Sequence, residues 1–186
     1  RQKPVDVIFN NIRTKQELAG SIADQVEADS AKLIELLENK KYLKQYDVTP
    51  RTVSAMFIPN TYEFWWNTSA KGVIDRMHKE YERFWNAKRK RKAKKLDLTP
   101  VEVITLASIV DEETIRDDEM PVIAGVYINR LEKGMRLQAD PTIKFALQDF
   151  SIKRILDKHL KVNSPYNTYK NRGLPPGPIS FPSMAA

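Results

Sequence analysis

The chain of 186 residues contains no cysteine, only two histidines and six glycines, and no long apolar run. The absence of cysteine excludes disulfides and thiolate chemistry, and it agrees with an extracytoplasmic location without proving one. Two histidines, His78 and His159, leave little room for a zinc site or a Ser-His-Asp triad, and we expect both on the surface. The glycines form neither a dinucleotide-binding nor a phosphate-binding loop. Any chemistry must therefore use carboxylates, amides, hydroxyls and aromatic rings, with no metal or organic cofactor.

The composition is that of an ordinary globular protein, with 41% hydrophobic and 30% charged residues. Its net charge of +7 favours anionic partners, which include nucleic acid, anionic lipid and acidic wall polymers, and does not choose among them. The chain has no initiator Met and no signal peptide, and it stops abruptly at Ala186. We therefore expect a piece of a longer protein, with any membrane anchor outside it.

The pattern of residues predicts an α+β fold that begins with a small unit over residues 1–66. Alternation predicts a strand at residues 5–9, and the capping-box spacing of Thr14 and Glu17 predicts a helix over 14–28. A second helix should follow to about residue 40. The aromatic stretch 54–66 contains Pro59 and Asn60 and predicts two strand-like pieces around a turn.

Residues 67–186 predict a mainly helical part. One long helix should start at Thr68 and continue into the basic run 88–95. The spacing of Thr99, Pro100 and Glu102 opens a helix that ends near residue 114, and a further helix over 119–133 should stop at Gly134. Shorter helices are predicted at 140–147 and 152–159. Residues 163–182 hold five prolines and should be largely extended.

The helix over 99–114 carries a carboxylate on its apolar face. Leu106 and Ile109 lie about 20° and 40° from the direction of Glu113 on a helical wheel, whereas Glu112 and Asp111 point about 100° and 160° away. Of the three acids, only Glu113 should be held partly out of water, which would raise its pKa and retain its proton. Such an acid suits cleavage of a glycosidic bond. On geometry alone, a structural role at a helix end is the more common outcome.

Five sequence strings occur in order and reverse that balance. They are LASIVDEET at 106–114, VYINRL at 126–131, GMRLQADPT at 134–142, YNTY at 166–169 and GLPPGPI at 173–179. Together they resemble the YceG-like (MltG) family of endolytic murein transglycosylases, and FIPNTY at 57–62 resembles a further stretch. In that family the acid is the second glutamate of an ASIVEKET string, which falls on Glu113. Asp111 and Glu112 depart from that string, which puts the role of Asp111 in doubt.

The resemblance implies a lytic transglycosylase that acts on peptidoglycan glycan strands with one carboxylate. Glu113 would protonate the bond between N-acetylmuramic acid and N-acetylglucosamine, then accept the proton of the muramyl C6 hydroxyl, leaving a 1,6-anhydro sugar. It also implies a small LysM-like module at residues 1–66, a catalytic domain at 67–186 truncated at its end, and a single-pass anchor in the plasma (inner) membrane with the catalytic part facing the periplasm or outer surface. Peptidoglycan synthases are further candidate partners.

Other polar and aromatic residues of these strings are candidates for substrate binding, each with an alternative structural role. Arg130 could meet a substrate carboxylate or pair with an acid on a neighbouring helix. Ser108 and Asp111 are candidate supporting residues. The candidates for substrate binding are Asn129, Arg130, Gln138, Asp140, Tyr166, Asn167, Thr168, Tyr169, Pro175 and Pro176.

Two other functions are alternatives to catalysis: the binding of nucleic acid or an anionic surface, and the non-catalytic binding of murein. The basic run 88–95 has seven positive charges in eight residues, which is usual for a solvated face but also fits nucleic acid or an anionic surface. Without a recognisable nucleic-acid motif, nucleic-acid binding is the weaker interpretation. The chain could also be a non-catalytic murein-binding module.

We expect Trp65, Trp66 and Trp85 to be buried at the interface between the small unit and the helical part.

Overall fold

The computed structural model describes residues 4–9 and 12–186, so parts of the predicted N-terminal unit, residues 1–3 and 10–11, lie outside the described residues. The two strands β1 (Pro4–Ile8) and β2 (Thr61–Trp65) pair antiparallel, with Val7 opposite Tyr62. Alternate side chains of β2 are buried, as a sheet with one covered face requires. The sequence order of strand, helix, helix and strand is confirmed.

Helix α1 (Lys15–Ala23) begins at the predicted capping box and ends five residues before the predicted position. The segment after it turns to the sheet, where Gln25 bonds to both backbone groups of Ile8 and the Glu27 N–H donates to the Trp66 carbonyl at 2.6 Å. These long-range bonds replace those of a longer helix. Local sequence does not reveal them.

Helix α2 (Ser30–Glu38) ends close to the predicted position, and Asn39 then caps the short helix α3 (Lys40–Leu43). The prediction of a first strand-like piece after residue 54 is wrong. Val53–Met56 forms a 3-10 helix whose apolar side chains enter the core. The predicted strand after the Pro59-Asn60 turn is confirmed as β2.

The predicted single long helix is instead two helices, α4 (Ala70–Phe84) and α5 (Ala87–Lys95). The chain breaks at Trp85, and the side chain of Asn86 accepts the Arg89 N–H to start α5. Trp85 is buried between the parts, as predicted, but Trp65 and Trp66 are about half exposed, so the prediction for these two is wrong. They extend outward from the end of β2.

The helices that position the acidic cluster have nearly the predicted bounds: α6 (Pro100–Glu113), α7 (Met120–Glu132) and α8 (Asp140–Leu147). Gly134 follows α7 with φ of +60°, a conformation that favours glycine. The predicted helix over 152–159 is wrong. Only α9 (Asp157–Leu160) forms there.

The segment after α9 lacks helices and strands, as its prolines predict. Phe181 packs into the core of the N-terminal unit, and its N–H donates to the Ile12 carbonyl at 2.9 Å. The first half of α4 completes the same core, while α6 and α7 share a second apolar cluster. The C-terminal segment therefore fastens the two parts together.

The α+β class is confirmed, with helices predominating and one two-stranded sheet in the described part of the chain. Within residues 4–9 and 12–186, no helix combines the length and apolar character needed to cross a bilayer. His78 and His159 are both partly exposed, so they lie at the surface as predicted, although each is also partly covered. His78 lies beside Tyr46, and the Nδ1 of His159 accepts the Leu156 N–H.

Candidate active site

Glu113 is the last residue of α6, and its position follows from local sequence at both ends of that helix. The Thr99–Glu102 capping box and Pro100 fix the first turn. Thr114 leaves the helix in an extended conformation, and its hydroxyl donates to Glu119 at 2.8 Å. Glu113 therefore lies beyond the buried stripe of α6, where it lines the clefts beside the helix end.

The three consecutive acids differ in their partners rather than in the predicted exposure. Asp111 and Glu112 are half-buried and the Glu113 residue is exposed, so the predicted contrast in exposure among the three acids is wrong. Desolvation of its carboxyl group nevertheless raises the pKa of Glu113, in the predicted direction. Asp111 accepts a hydrogen bond from Ser183 at 2.5 Å, and Glu112 is ion-paired with Arg13 at 2.9 Å. Asp111 and Glu113 each accept a hydrogen bond at one carboxylate oxygen, and Glu113 is the one of the two that lines both clefts described below.

The partner of Glu113 is a tyrosine on the neighbouring helix. The hydroxyl of Tyr127 donates to Oε1 of Glu113 at 2.6 Å, and the Tyr127 side chain is buried in the cluster between α6 and α7. Because a phenol has a single proton to donate, this bond fixes Oε1 and leaves Oε2 for another partner. Rigid packing of Tyr127 thus sets the orientation of the carboxyl group.

The surroundings of Glu113 act on its pKa in both directions, and the net effect is a raised pKa. Desolvation of the carboxyl group raises the pKa of Glu113 above its ordinary value, and the negative charge of Asp140 raises that pKa further. The Tyr127 hydrogen bond and the charge of Lys144 lower the pKa and oppose part of this effect. Burial and the bond to Glu113 also raise the pKa of Tyr127, which keeps the phenol protonated as a donor.

One cleft beside Glu113, here the α7 cleft, has a volume of about 380 Å³. Five of the predicted site residues line it together with Tyr127, Ile123 and Val126. These five are Glu113, Arg130, Gln138, Asp140 and Tyr169.

Hydrogen bonds to other parts of the chain hold two of the polar side chains of the α7 cleft. Tyr169 donates to the Asp140 carboxylate, and this bond together with burial raises the pKa of Tyr169 to about 12. Arg130 is half-buried and donates to the Leu137 carbonyl. Gln138 is exposed with φ of +54°, a left-handed conformation that is uncommon outside glycine. Strain of this kind is often found at binding sites.

A second cleft of about 650 Å³ lies on the other side of Glu113, and we name it the α6-end cleft. It runs past the loop after α6 to Arg13 of the N-terminal unit and to the C-terminal segment. Glu113 lines both clefts and therefore lies at their junction. The residues that line it are Ile12, Arg13, Asp111–Asp117, Met120, Ser180, Phe181 and Ser183.

The structure does not bring the remaining candidates to Glu113. Asn129 is exposed on α7 but lines neither cleft. Asn167 is fully buried and donates to the carbonyls of Leu160 and Val162, while Thr168 is buried and accepts the Ala139 N–H. These two side chains hold the loop that carries Tyr169.

The aromatic and proline candidates occupy other surfaces. Tyr166 packs on Phe145 with ring centroids 4.7 Å apart, in a separate cleft toward the N-terminal unit. Pro175 and Pro176 lie beside the first turn of α6. That turn is roughly 16 Å from Glu113 along the helix axis.

The two supporting candidates fasten the C-terminal segment to α6. Ser108 is fully buried and accepts the Ile179 N–H at 3.0 Å, and its carbonyl accepts from Ser180. Asp111 accepts from Ser183 in the next part of that segment. Asp111 lines the α6-end cleft, whereas Ser108 acts on it indirectly, by holding Ile179 and Ser180.

Sequence reasoning missed Tyr127 and Lys144. Tyr127 lies three residues before Arg130 and four after Ile123, so helical spacing places all three on one face of α7. This spacing was a usable signal for a tyrosine facing the site. Lys144 acts on Glu113 by charge alone, and no local pattern marks it.

The chain is similar in sequence to one protein family and to two named enzymes. The model of the YceG-like family matches residues 1–186. The endolytic murein transglycosylase of Bacillus subtilis is 32% identical over 187 residues, which cover 91% of this chain and 51% of that protein. The enzyme of the same name from Streptococcus pneumoniae serotype 2 is 34% identical, covering 69% of this chain and 24% of that protein.

A crystal structure of a yceG-like protein from Listeria monocytogenes shares the fold. It matches with a TM-score of 0.80 and 30% identity, over 98% of this chain and 64% of that one. The chain thus spans about half the length of the Bacillus relative and about a quarter of the Streptococcus one.

Proposed function

The chain belongs to the YceG-like family, and we propose that it carries the catalytic part of an endolytic peptidoglycan lytic transglycosylase. The observation that carries the proposal is the position of Glu113 at the junction of two clefts, with Tyr127 bonded to one oxygen of its carboxyl. A cleft on each side of the acid allows a glycan strand to pass through, which endolytic cleavage requires.

The proposed reaction uses Glu113 twice. Its protonated carboxyl donates to the bridging oxygen as the bond between muramyl C1 and that oxygen breaks, and N-acetylglucosamine leaves with a 4-hydroxyl. The oxygen of the muramyl C6 hydroxyl then bonds to C1, and its proton returns to the Glu113 carboxylate. The product is a 1,6-anhydromuramyl end, no water is consumed, and the intramolecular nucleophile removes the need for a second catalytic carboxylate.

Tyr127 would act as a positioning residue. Its bond to Oε1 leaves Oε2 to face the glycosidic oxygen, and its donation stabilises the carboxylate that forms after proton transfer. Desolvation and the charge of Asp140 raise the pKa of Glu113 and favour the protonated acid, while the Tyr127 bond and the charge of Lys144 lower it and favour the carboxylate that forms after proton transfer. A pKa near the working pH is the condition for efficient acid–base catalysis.

The substrate-binding roles concentrate on the α7 cleft. Gln138 supplies an exposed amide for acetamido or hydroxyl groups, Tyr169 a flat aromatic face, and Arg130 a cation for a substrate carboxylate. Asp140 orients Tyr169 through their hydrogen bond. The buried Asn167 and Thr168 act indirectly, by holding this loop.

We further infer that residues 1–66 form a LysM-like module and residues 67–186 the catalytic domain, ending in the proline-rich segment. The order of strands and helices in the first unit supports this division, and the apolar cluster of that unit is completed by the first half of α4 and by Phe181. The family resemblance supports a plasma-membrane anchor outside these residues, a catalytic part facing the periplasm or outer surface, and peptidoglycan synthases as partners.

The direct test is mass spectrometry of peptidoglycan digested by the wild-type chain and by Glu113→Gln. We expect 1,6-anhydromuramyl ends from the wild type and none from the variant. Reducing ends in place of anhydro ends would make the protein a hydrolase. Undiminished activity in the variant would remove Glu113 as the acid.

Helix α5 favours a second candidate function, the binding of an anionic polymer. Its seven cations are exposed, and none forms an ion pair with an acid of the described residues. Retention on heparin that is lost in moderate salt, without activity on peptidoglycan, would favour this function. Charge reversal at Lys90 and Lys94 should then abolish the retention.

A further inference from the structure

The two clefts on either side of Glu113 differ in the cations they offer to a ligand. We propose that the α7 cleft holds the muramyl residue, whose substituent carries a carboxylate, and that the α6-end cleft holds the neutral N-acetylglucosamine of the leaving strand. This orientation of the glycan rests on the proposed function, which by itself does not say which half of the strand lies in which cleft.

The α7 cleft contains a cation that the protein leaves free. Arg130 lies within 4 Å of no carboxylate in the described residues, and one of its nitrogens donates to a backbone carbonyl. The other acid of the cleft, Asp140, already accepts from Tyr169. A half-buried guanidinium with unused N–H donors is a binding site for a carboxylate, whose oxygens accept from it.

The α6-end cleft presents the opposite balance. Both of its arginines are occupied: Arg13 by Glu112 at 2.9 Å, and Arg116 by Asp118 at 2.9 Å and Glu119 at 3.0 Å. Its lining also includes the carboxylates of Asp111, Glu112 and Asp117. An anionic substituent there would meet like charges, which costs binding energy, whereas hydroxyl and acetamido groups can donate to these carboxylates.

The cleaved glycosidic bond joins two sugars that differ in charge. Cleavage occurs between muramyl C1 and the 4-oxygen of N-acetylglucosamine, so one of these sugars lies on each side of Glu113. The muramyl sugar alone bears the lactyl ether, with its carboxylate or the peptide attached to it. Ile123 and Val126 add an apolar wall to the α7 cleft that suits the lactyl and acetamido methyl groups.

The orientation can be tested with two forms of one substrate. Glycan strands stripped of stem peptides by an amidase carry a free lactyl carboxylate on each muramyl residue, and carbodiimide coupling to methylamine neutralises it. We expect wild-type protein to have a lower KM for the charged form. Arg130→Gln should raise that KM about tenfold, the loss typical of a hydrogen-bonded charged pair, and change the KM for the neutral form less than twofold.

Variants of two further arginines distinguish the proposed orientation of the glycan from the reverse orientation. Arg136→Gln, an exposed residue outside both clefts, should keep the wild-type preference. Loss of the preference in Arg116→Gln with retention in Arg130→Gln would reverse the orientation and overturn the proposal. An equal rise of KM for both substrates in Arg130→Gln would also overturn it, because that result indicates a structural role.

A second measurement does not depend on the folding of an Arg130 variant. A tetrasaccharide with a nitroxide at its reducing end is bound to the inactive Glu113→Gln chain, and line broadening of the amide signals is recorded. Broadening should centre on Arg13 and Thr114–Asp117, and broadening centred on α7 would contradict the proposal. If the wild-type chain leaves anhydro ends on neither substrate, the proposed function itself is refuted. If it leaves anhydro ends but the broadening centres on α7, only the orientation of the glycan is refuted.

Discussion

The two ends of helix α6 use their polar residues in different ways. At the first turn, Thr99 and Glu102 satisfy each other's backbone and side-chain groups within four residues. At the last turn, Asp111, Glu112 and Glu113 find partners on three distant parts of the chain: Ser183, Arg13 and Tyr127. The first end is complete in itself, while the second depends on the folded protein around it.

This difference separates stability from function. Groups that are satisfied locally start a helix and have no capacity left for a ligand. Groups whose partners come from elsewhere join elements together, and one of them, Glu113, keeps an unoccupied oxygen at the junction of two clefts. Substitutions at the two ends should therefore affect different properties.

The largest effect is expected for Glu113→Gln. Loss of the proton donor should reduce the rate of anhydro-end formation by about a hundredfold or more, the contribution usual for general acid–base catalysis. The variant should fold normally because the amide can still accept from Tyr127. Its rate is measured by mass spectrometry of released muropeptides, and a reduction below tenfold would contradict the assigned role.

In the middle of α6, Ser108→Ala should mainly reduce stability. The substitution leaves the buried Ile179 N–H without its acceptor, which costs about 1–3 kcal/mol in the free energy of unfolding. Denaturant unfolding measures the change. Ser183→Ala, which removes an exposed bond to Asp111, is the matched control and should change the unfolding free energy by less than about 0.5 kcal/mol.

Tyr127→Phe should shift the pH profile while keeping much of the activity. Because the lost hydrogen bond lowers the pKa of Glu113, its removal raises that pKa, and the alkaline limb of kcat/KM moves to higher pH. The maximal rate should drop about three- to tenfold, as one hydrogen bond to the carboxylate is lost. Tyr166→Phe serves as the control outside both clefts, and an unchanged limb in Tyr127→Phe would separate this tyrosine from the acid.

At the other end of the helix, Glu102→Gln should reduce stability slightly and leave catalysis intact. Half of the capping box weakens when its charge is lost, which costs about 0.5–1 kcal/mol. Thermal unfolding and the muropeptide assay, run together, check both statements. A rate loss comparable with that of Glu113→Gln would remove the contrast between the two ends.

The smallest effect concerns stability as a function of pH. The folded state raises the pKa of Glu113 above 4.5, so the wild type is relatively most stable below that pH and loses this contribution as pH rises through the raised pKa. Glutamine does not titrate. Glu113→Gln should therefore gain melting temperature relative to wild type on going from pH 4 to pH 7, and a relative loss would reverse the sign of the shift.

The same contrast explains which features the sequence alone predicts. The start of α6, the stop at Gly134 and the helix at Asp140 depend on residues close in the chain, and their bounds were predicted nearly correctly. The early end of α1 and the break at Trp85 depend on bonds or packing with distant elements, and both were missed.

In the candidate site, too, the features set by residues close in the chain are predicted and those set by distant parts of the chain are not. Helical spacing and the motif strings predict Glu113, Gln138 and Asp140 as site residues, and these residues line one cleft. The buried roles of Asn167 and Thr168 arise from how a loop folds back on itself, which composition does not reveal. The exposure of Glu113 was misjudged because a helical wheel gives direction but not what covers the last turn.

The proposed acid catalysis depends most on Glu113 holding its proton more tightly than a free glutamate side chain does. Carbon-13 NMR titration of the side-chain carboxyls, with the Glu113 signal assigned from its absence in Glu113→Gln, measures that property directly. We predict a midpoint above 4.5 that rises further in Tyr127→Phe. A midpoint at or below 4.5 would contradict the proposed acid.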